Sequence, residues 1–317
     1  MPLIEKSTYD GPPLLQKISK HFQTIIPSFR KVVDVAYQRE RINTADGDFI
    51  DVDAIDNNSK NLVVITHGFE GNSHKQYAMG AAKIFSEDGW DVAAWNCRSC
   101  SGEMNRVFRM YDHAEIDDIS LVVNHFAQKK NYDSIVLVGY SMGGNICLRY
   151  GAYNAHEKVK KIIAFSAPLD MKDSLMMLTK RSSFVYRRHF LSNLAAKISA
   201  KALMFPDKLS ITDLDTKDWI DKCAVFFCKV NGYASMEEFY KRASPNNFLD
   251  KIKIPTLIVN ALNDPFLGKK CYPFDMVKNL KNVFLETPAS GGHCGFISAK
   301  DKIFAWSERR ALAFAMN

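Results

Sequence analysis

The stretch that most constrains this chain runs from Ser134 to Tyr150. Four consecutive apolar residues, Ile135, Val136, Leu137 and Val138, break at Gly139-Tyr140-Ser141-Met142-Gly143. A helical pattern follows, with Ile146, Cys147 and Tyr150 on one face. A short run rich in β-branched residues suits a strand buried on both faces, so the pattern predicts a strand, a sharp turn and a helix. A turn this tight strains its central residue and leaves no room for side chains two positions either side, which accounts for glycine at 139 and 143. Ser141 is thereby pushed out above the sheet. Gly-x-Ser-x-Gly also arises by chance, but its place between a predicted strand and a predicted helix favours a nucleophile.

The rest of the chain supplies a framework for that turn. Two strand-like runs between about Val35 and Ile55 flank Asp46-Gly47, a two-residue hairpin signal. Leu62 to Ile65, Asp91 to Trp95, Lys161 to Phe165, Pro255 to Asn260 and Asn282 to Glu286 read as further strands. Lys75 to Ser86 reads as a helix, and so does Glu115 to Gln128, where Ile116, Ile119, Val123 and Phe126 recur at helical spacing. This alternation predicts an α/β fold with a mostly parallel central sheet and helices on both faces.

From about 171 to 245 the rhythm stops and Met, Phe, Tyr and Lys become frequent, which predicts a helical cap inserted over the site. The expected division is an N-terminal arm at 1–33, a core at 34–170 and 246–317, and the cap at 171–245. Within the cap, Met176, Met177, Phe184, Phe190, Met204, Phe205, Trp219, Phe226 and Phe227 either line an apolar substrate channel or pack inside the cap itself.

Two later strand ends complete a chemical set. Asp264 follows the run at 255–260, and His293 follows the run at 282–286 among Gly291, Gly292 and Gly295. The order Ser141, Asp264, His293 is the nucleophile, acid, base order of α/β-hydrolases, each residue lying just past a strand's C-terminal end. Asp170 also follows a strand and is the competing acid. A nucleophilic serine needs backbone NH groups aimed at the developing oxyanion, and the expected donors are Met142, next to the serine, and Phe69, in the loop His67-Gly68-Phe69-Glu70-Gly71. This chemistry needs no cofactor and no metal. Cys97-x-x-Cys100 lacks a second ligand pair at zinc spacing and reads as two structural thiols.

Composition narrows the function classes. A chain of 317 residues, 47% hydrophobic, can bury one large core, so a single domain with an insertion is expected. The net charge of +7 is modest for this length and forms no dense basic block, which argues against nucleic acid as a partner. Lys180, Arg181, Arg187 and Arg188, interleaved with Phe184, Tyr186 and Phe190, form either a solvated helix face or a peripheral membrane contact through the cap. No apolar run approaches the roughly 18 residues of a membrane span, and the opening residues lack the pattern of a signal peptide. With seven scattered cysteines, a reduced, cytoplasmic protein is expected.

With these residues in place, the chain resembles the YheT-like branch of the α/β-hydrolases, the group that includes the mammalian abhydrolase-domain lipases and esterases. The resemblance rests on His21 to Pro27, His67 to Ser73, Asn96 to Glu103, Gly139 to Asn145, Ile254 to Leu257, Asn263 to Pro265 and Gly292 to Phe296. The chain departs from the family at Arg98-Ser99 and at Tyr111-Asp112-His113-Ala114. The resemblance implies a serine hydrolase cleaving small-molecule or lipid carboxylic esters, with short- to medium-chain acyl groups. A phospholipase or acyltransferase using the same triad is the alternative within enzymes. A hydrolase-fold receptor for small molecules is the alternative outside them.

Overall fold

Nine strands form one sheet in the computed structural model, which describes residues 2–215, 218–301 and 303–317. Met1 of the expected arm, Thr216 and Lys217 of the expected cap, and Lys302 of the expected core lie outside the described residues. In chain order the strands are β1 (Leu3–Ile4), β2 (Gln38–Asn43), β3 (Phe49–Ile55), β4 (Asn61–Thr66), β5 (Asp91–Asn96), β6 (Ser134–Tyr140), β7 (Val159–Phe165), β8 (Thr256–Val259) and β9 (Val283–Glu286). In space they run β1-β9-β8-β7-β6-β4-β5-β3-β2. Only the pairings of β3 with β2 and with β5 are antiparallel. Every other pair is parallel.

The helices are α1 (Lys20–Ile25), α2 (Gln76–Glu87), α3 (Asp117–Lys129), α4 (Met142–Tyr153), α5 (Met171–Thr179), α6 (Phe184–Met204), α7 (Trp219–Ala224), α8 (Met236–Ala243), α9 (Phe274–Val277) and α10 (Trp306–Met316). Alternate residues along each strand build two separate cores. Leu62, Val64, Ile135, Leu137 and Ile162 pack with apolar residues of α3 and α4. Val63, Ile65, Val136, Val138 and Ile163 pack with those of α2 and α10 on the opposite face. The sheet therefore carries helices on both faces. This double burial is why the central strands are continuous apolar runs rather than alternating ones.

Three details differ from the sequence reading or add to it. The chain between β2 and β3 is not a two-residue turn: Asn43 pairs with Phe49, and residues 44–48 form the loop. The longer loop carries Asp46 and Asp48, both of which accept from the Arg98 guanidinium, and Asp48 is fully buried there. A tighter turn would forfeit that pairing. Leu3–Ile4 joins the sheet edge beside β9. Between β7 and β8 the described residues form α5, α6, α7, a π-helical turn at Val225–Val230 and α8, with no strand. Among the described residues, no helix is long and apolar enough to cross a membrane.

Candidate active site

Strand β6 ends where α4 begins, and Ser141 is the joint. Its backbone lies at φ 54° and ψ −118°, a conformation that costs a non-glycine residue about 1–3 kcal/mol and persists only where the surroundings impose it. Those surroundings are tight. A Cβ at Gly139 would lie 2.3 Å from the Gly143 carbonyl oxygen, and one at Gly143 would lie 2.2 Å from that of Thr66 at the end of β4. The Ser141 NH donates to the Phe165 carbonyl at 2.8 Å, anchoring the turn to β7.

The loops after β8 and β9 bring Asp264 and His293 to this serine. Nε2 of His293 lies 2.9 Å from Ser141 Oγ, and Nδ1 lies 2.9 Å from Asp264 Oδ2. Asp264 is buried, and its Oδ1 also accepts from the Phe266 NH at 2.8 Å. A carboxylate on Nδ1 keeps the proton there and leaves Nε2 free to accept from the serine. Burial disfavours the imidazolium, but the charge and hydrogen bond of Asp264, together with the neighbouring Cys294, outweigh it and hold His293 above the ordinary histidine range. Asp170 does something else. Its side chain caps α5, accepting from the Asp173 NH at 2.8 Å, and makes no hydrogen bond to His293.

The loop after β4 approaches Ser141 closely enough that a Cβ on Gly68 would lie 3.2 Å from the Ser141 Cβ. His67 sets the shape of this loop. The Cys97 NH donates to His67 Nε2 at 3.0 Å, so the proton sits on Nδ1, which donates to the Gly68 carbonyl at 2.7 Å. Burial lowers the His67 pKa to about 4, so it serves as a neutral brace. The Gly68 NH donates to the Tyr77 hydroxyl and the Glu70 NH to the Tyr111 hydroxyl. Between them the Phe69 NH has no hydrogen-bond partner among the described residues, nor has the Met142 NH at the first turn of α4.

The comparisons with known proteins agree with this architecture. A family model described as alpha/beta hydrolase fold matches residues 61–300. The chain belongs to the α/β-hydrolases. Within them it is 30% identical to YheT of Escherichia coli, a proposed esterase, over 87% of this chain and 84% of that protein. It is 27% identical to the phospholipase ABHD3 of Mus musculus, over 87% of this chain and 70% of that one. Among solved structures, the Pyrococcus furiosus esterase Pf2001 shares the fold at a TM-score of 0.61 and 16% identity, covering 98% of each chain.

In this hydrolase Ser141 stands where two clefts meet. One is apolar, walled by Leu175 and Leu178 of α5, Phe190 and Leu194 of α6, Trp219 of α7, and Phe69, Phe227 and Phe266. The other is the more polar of the two, with Thr24, Ser28, Glu70, Lys75, Gln76 and His189 beside Phe69, Phe190 and Phe266. Of the nine cap residues considered for a channel, Phe190, Trp219 and Phe227 line the apolar cleft. Met176, Phe184 and Met204 face solvent, Phe226 is buried against Phe69 and Tyr111, and Phe205 packs on Phe108. Met177 does not border the cleft. His113, in the stretch where the chain departs from the family, lines it too, whereas Leu175, Leu178 and Phe266 are not singled out by sequence, because a single apolar residue outside a motif carries no spacing signal.

The loop at 96–102 braces the fold. Arg98 is buried, paired with both oxygens of Asp118 on α3 and with Asp46 and Asp48. Cys97 and Cys100 are buried thiols whose deprotonation burial opposes, with Cys100 pushed up to about 11. Among the described residues, no group of three or more His, Cys, Asp or Glu is placed to hold a metal ion.

The N-terminal arm has a role that pattern alone did not reveal. Gln23 on α1 is buried, and its Oε1 accepts from the Gly291 NH at 2.9 Å and from Asn263 Nδ2 at 2.8 Å. Thr24 Oγ1 accepts from the His293 NH at 3.0 Å. Asn263 Oδ1 in turn accepts from the Gly292 NH at 3.1 Å. One helix thus clamps the loops that carry Asp264 and His293. A side chain on Gly295 would meet the Gln23 carbonyl at 2.0 Å, so glycine there admits the arm. Gln23→Leu leaves the buried Gly291 NH and the partly buried Asn263 Nδ2 unpaired and should loosen both loops. Turnover should fall by about 10- to 100-fold with KM changed much less, a split that steady-state kinetics reads directly.

Proposed function

We propose that the protein is a serine esterase that cleaves carboxylic esters through an acyl-enzyme on Ser141. The observation that carries this reading is the Ser141–His293–Asp264 hydrogen-bond relay, whose serine and histidine line an apolar cleft. In the first half-reaction His293 Nε2 takes the Ser141 proton as Oγ attacks the ester carbonyl carbon. Asp264 stabilises the imidazolium so formed. The NH groups of Phe69 and Met142 hold the oxyanion, each such donor contributing about 10²–10³-fold in rate. The tetrahedral intermediate collapses as the imidazolium returns its proton to the leaving alcohol oxygen. Water, deprotonated by His293, then attacks the acyl-enzyme, and the carboxylic acid departs with Ser141 restored.

The two clefts divide the substrate. The apolar cleft suits a short- to medium-chain acyl group, and the helical segment 171–245 acts as the cap that shapes it. The polar groove suits the alcohol. That groove, with the similarity to phospholipase ABHD3, supports a second reading in which the alcohol is a phosphoglyceride. All seven cysteines are unbridged, which supports a reducing compartment such as the cytoplasm.

The test is hydrolysis of nitrophenyl esters from acetate to laurate, with phospholipids and alcohol acceptors alongside. Turnover with an optimum at short or medium length is expected. Release of fatty acid from phospholipids alone would move the reading to a phospholipase. Acyl transfer to an added alcohol in preference to water would indicate an acyltransferase. Tight binding of an ester with no turnover would indicate a receptor.

A further inference from the structure

The arm is turned inside out. Across its helical turns it buries Gln16 and Gln23 while Leu14, Leu15, Ile18, Phe22, Ile26 and Phe29 face solvent, Leu14 at 79%, Ile18 at 73% and Phe29 at 77% exposure. The inversion has a local cause: the buried face is occupied by the polar clamp on the Asp264 and His293 loops, which leaves the apolar residues outward. The arm adjoins the start of α6, where His21 Nδ1 lies 3.0 Å from the Tyr186 hydroxyl. There Phe184 and Val185 are exposed as well. Apolar surface of this extent left in water marks an interaction site.

The charge around it indicates the partner. No acidic residue occurs between Asp10 and Asp34, nor between Asp173 and Asp207. These segments carry Lys17, Lys20 and Lys31 on the arm and Lys180, Arg181, Arg187 and Arg188 around the start of α6. None of these seven is in an ion pair among the described residues. A second copy of the chain would bring two such basic faces together and repel itself. An anionic lipid surface satisfies both features, with the apolar side chains entering the headgroup boundary and the basic ones meeting its charge. The position also fits. Thr24 and Ser28 of the arm and His189 and Phe190 of α6 line the polar groove that leads to Ser141.

We propose that the outer face of the N-terminal arm and the start of α6 form a docking surface for anionic lipid, which sets the mouth of the site against the bilayer. Only the significance of that orientation rests on the esterase reading; the docking itself does not. It is therefore tested on Ser141→Ala protein, by co-sedimentation with phosphatidylcholine vesicles with and without phosphatidylglycerol. Binding to the anionic vesicles is expected, and Leu15→Glu/Ile18→Glu should weaken it by about tenfold or more. Arg181→Gln/Arg188→Gln should reduce the preference for anionic over zwitterionic vesicles. The same Leu15 and Ile18 substitutions in the active protein should leave turnover of a soluble ester unchanged, showing that the fold is intact. The proposal fails if no vesicles are bound at low salt. It also fails if binding ignores Leu15→Glu/Ile18→Glu, which would mean charge alone, or if the wild type is a dimer that those substitutions dissolve.

Discussion

On the proposed mechanism Ser141→Ala should lower ester turnover by about 10⁴-fold or more, because a serine, histidine and aspartate triad acts as a unit and losing its nucleophile leaves only binding and the oxyanion donors. The substitution removes one oxygen atom. Alanine meets the same backbone cost as serine at φ 54°, and the turn is imposed by Gly139, Gly143 and the bond to Phe165, none of which changes. The fold should therefore persist, with a thermal midpoint within a few degrees of the wild type. Steady-state hydrolysis of the best nitrophenyl ester, with thermal unfolding on the same samples, checks both halves. A folded variant retaining more than about a tenth of wild-type turnover would remove Ser141 from the mechanism.

Asp264→Asn should cost about 10³–10⁴-fold, close to the known effect of holding the base in the wrong tautomer. The neighbouring bonds say why. Oδ1 of Asp264 accepts from the Phe266 NH and lies 3.1 Å from His293 Nδ1, with Oδ2 nearer at 2.9 Å, so an asparagine that keeps its carbonyl on the Phe266 NH sets its NH₂ group at the nearer position, facing His293 Nδ1. The imidazole proton then moves to Nε2, which can no longer accept from Ser141. Asp170→Asn should change turnover less than about threefold, since asparagine caps a helix as well as aspartate does. The reverse ranking would transfer the acid's role to the end of β7.

The pH profile adds an independent reading of Asp264. The working form of His293 is neutral, and the Asp264 charge raises its pKa, so in the wild type kcat/KM falls as pH drops through a midpoint above the ordinary histidine value of 6.5. Without the carboxylate, burial is less opposed and the acid limb of Asp264→Asn should move to lower pH. An unmoved limb would mean that another group governs it.

The central strands and the serine turn were legible in the sequence because they repeat or abut local rules. A strand buried on both faces must be continuously apolar, as Ile135 to Val138 are, and a turn whose neighbours touch must carry glycine at 139 and 143. Asp264 and His293 were legible as candidates from their places after β8 and β9. The two-residue hairpin was misjudged because Asp46 and Asp48 answer to Arg98, some 50 residues away in the chain, and not to turn propensity. The cleft-lining residues of the helical segment were only partly legible, since helix α6 is mixed in character along its length and its inward face depends on what packs beneath it.

By itself, then, the sequence determined the α/β sheet, the strained serine and a short set of residues able to act with it, since each leaves a local pattern: continuous apolar runs, glycines two positions either side of the serine, and polar residues just past strand ends. The tertiary structure alone decided that Asp264 reaches His293 while Asp170 caps a helix, and that Gln23 and Thr24 hold the loops of both. Those outcomes rest on single polar contacts between segments as much as 269 residues apart, which leave no periodic trace in sequence. Long-range hydrogen bonds are settled only when packing has brought their partners together.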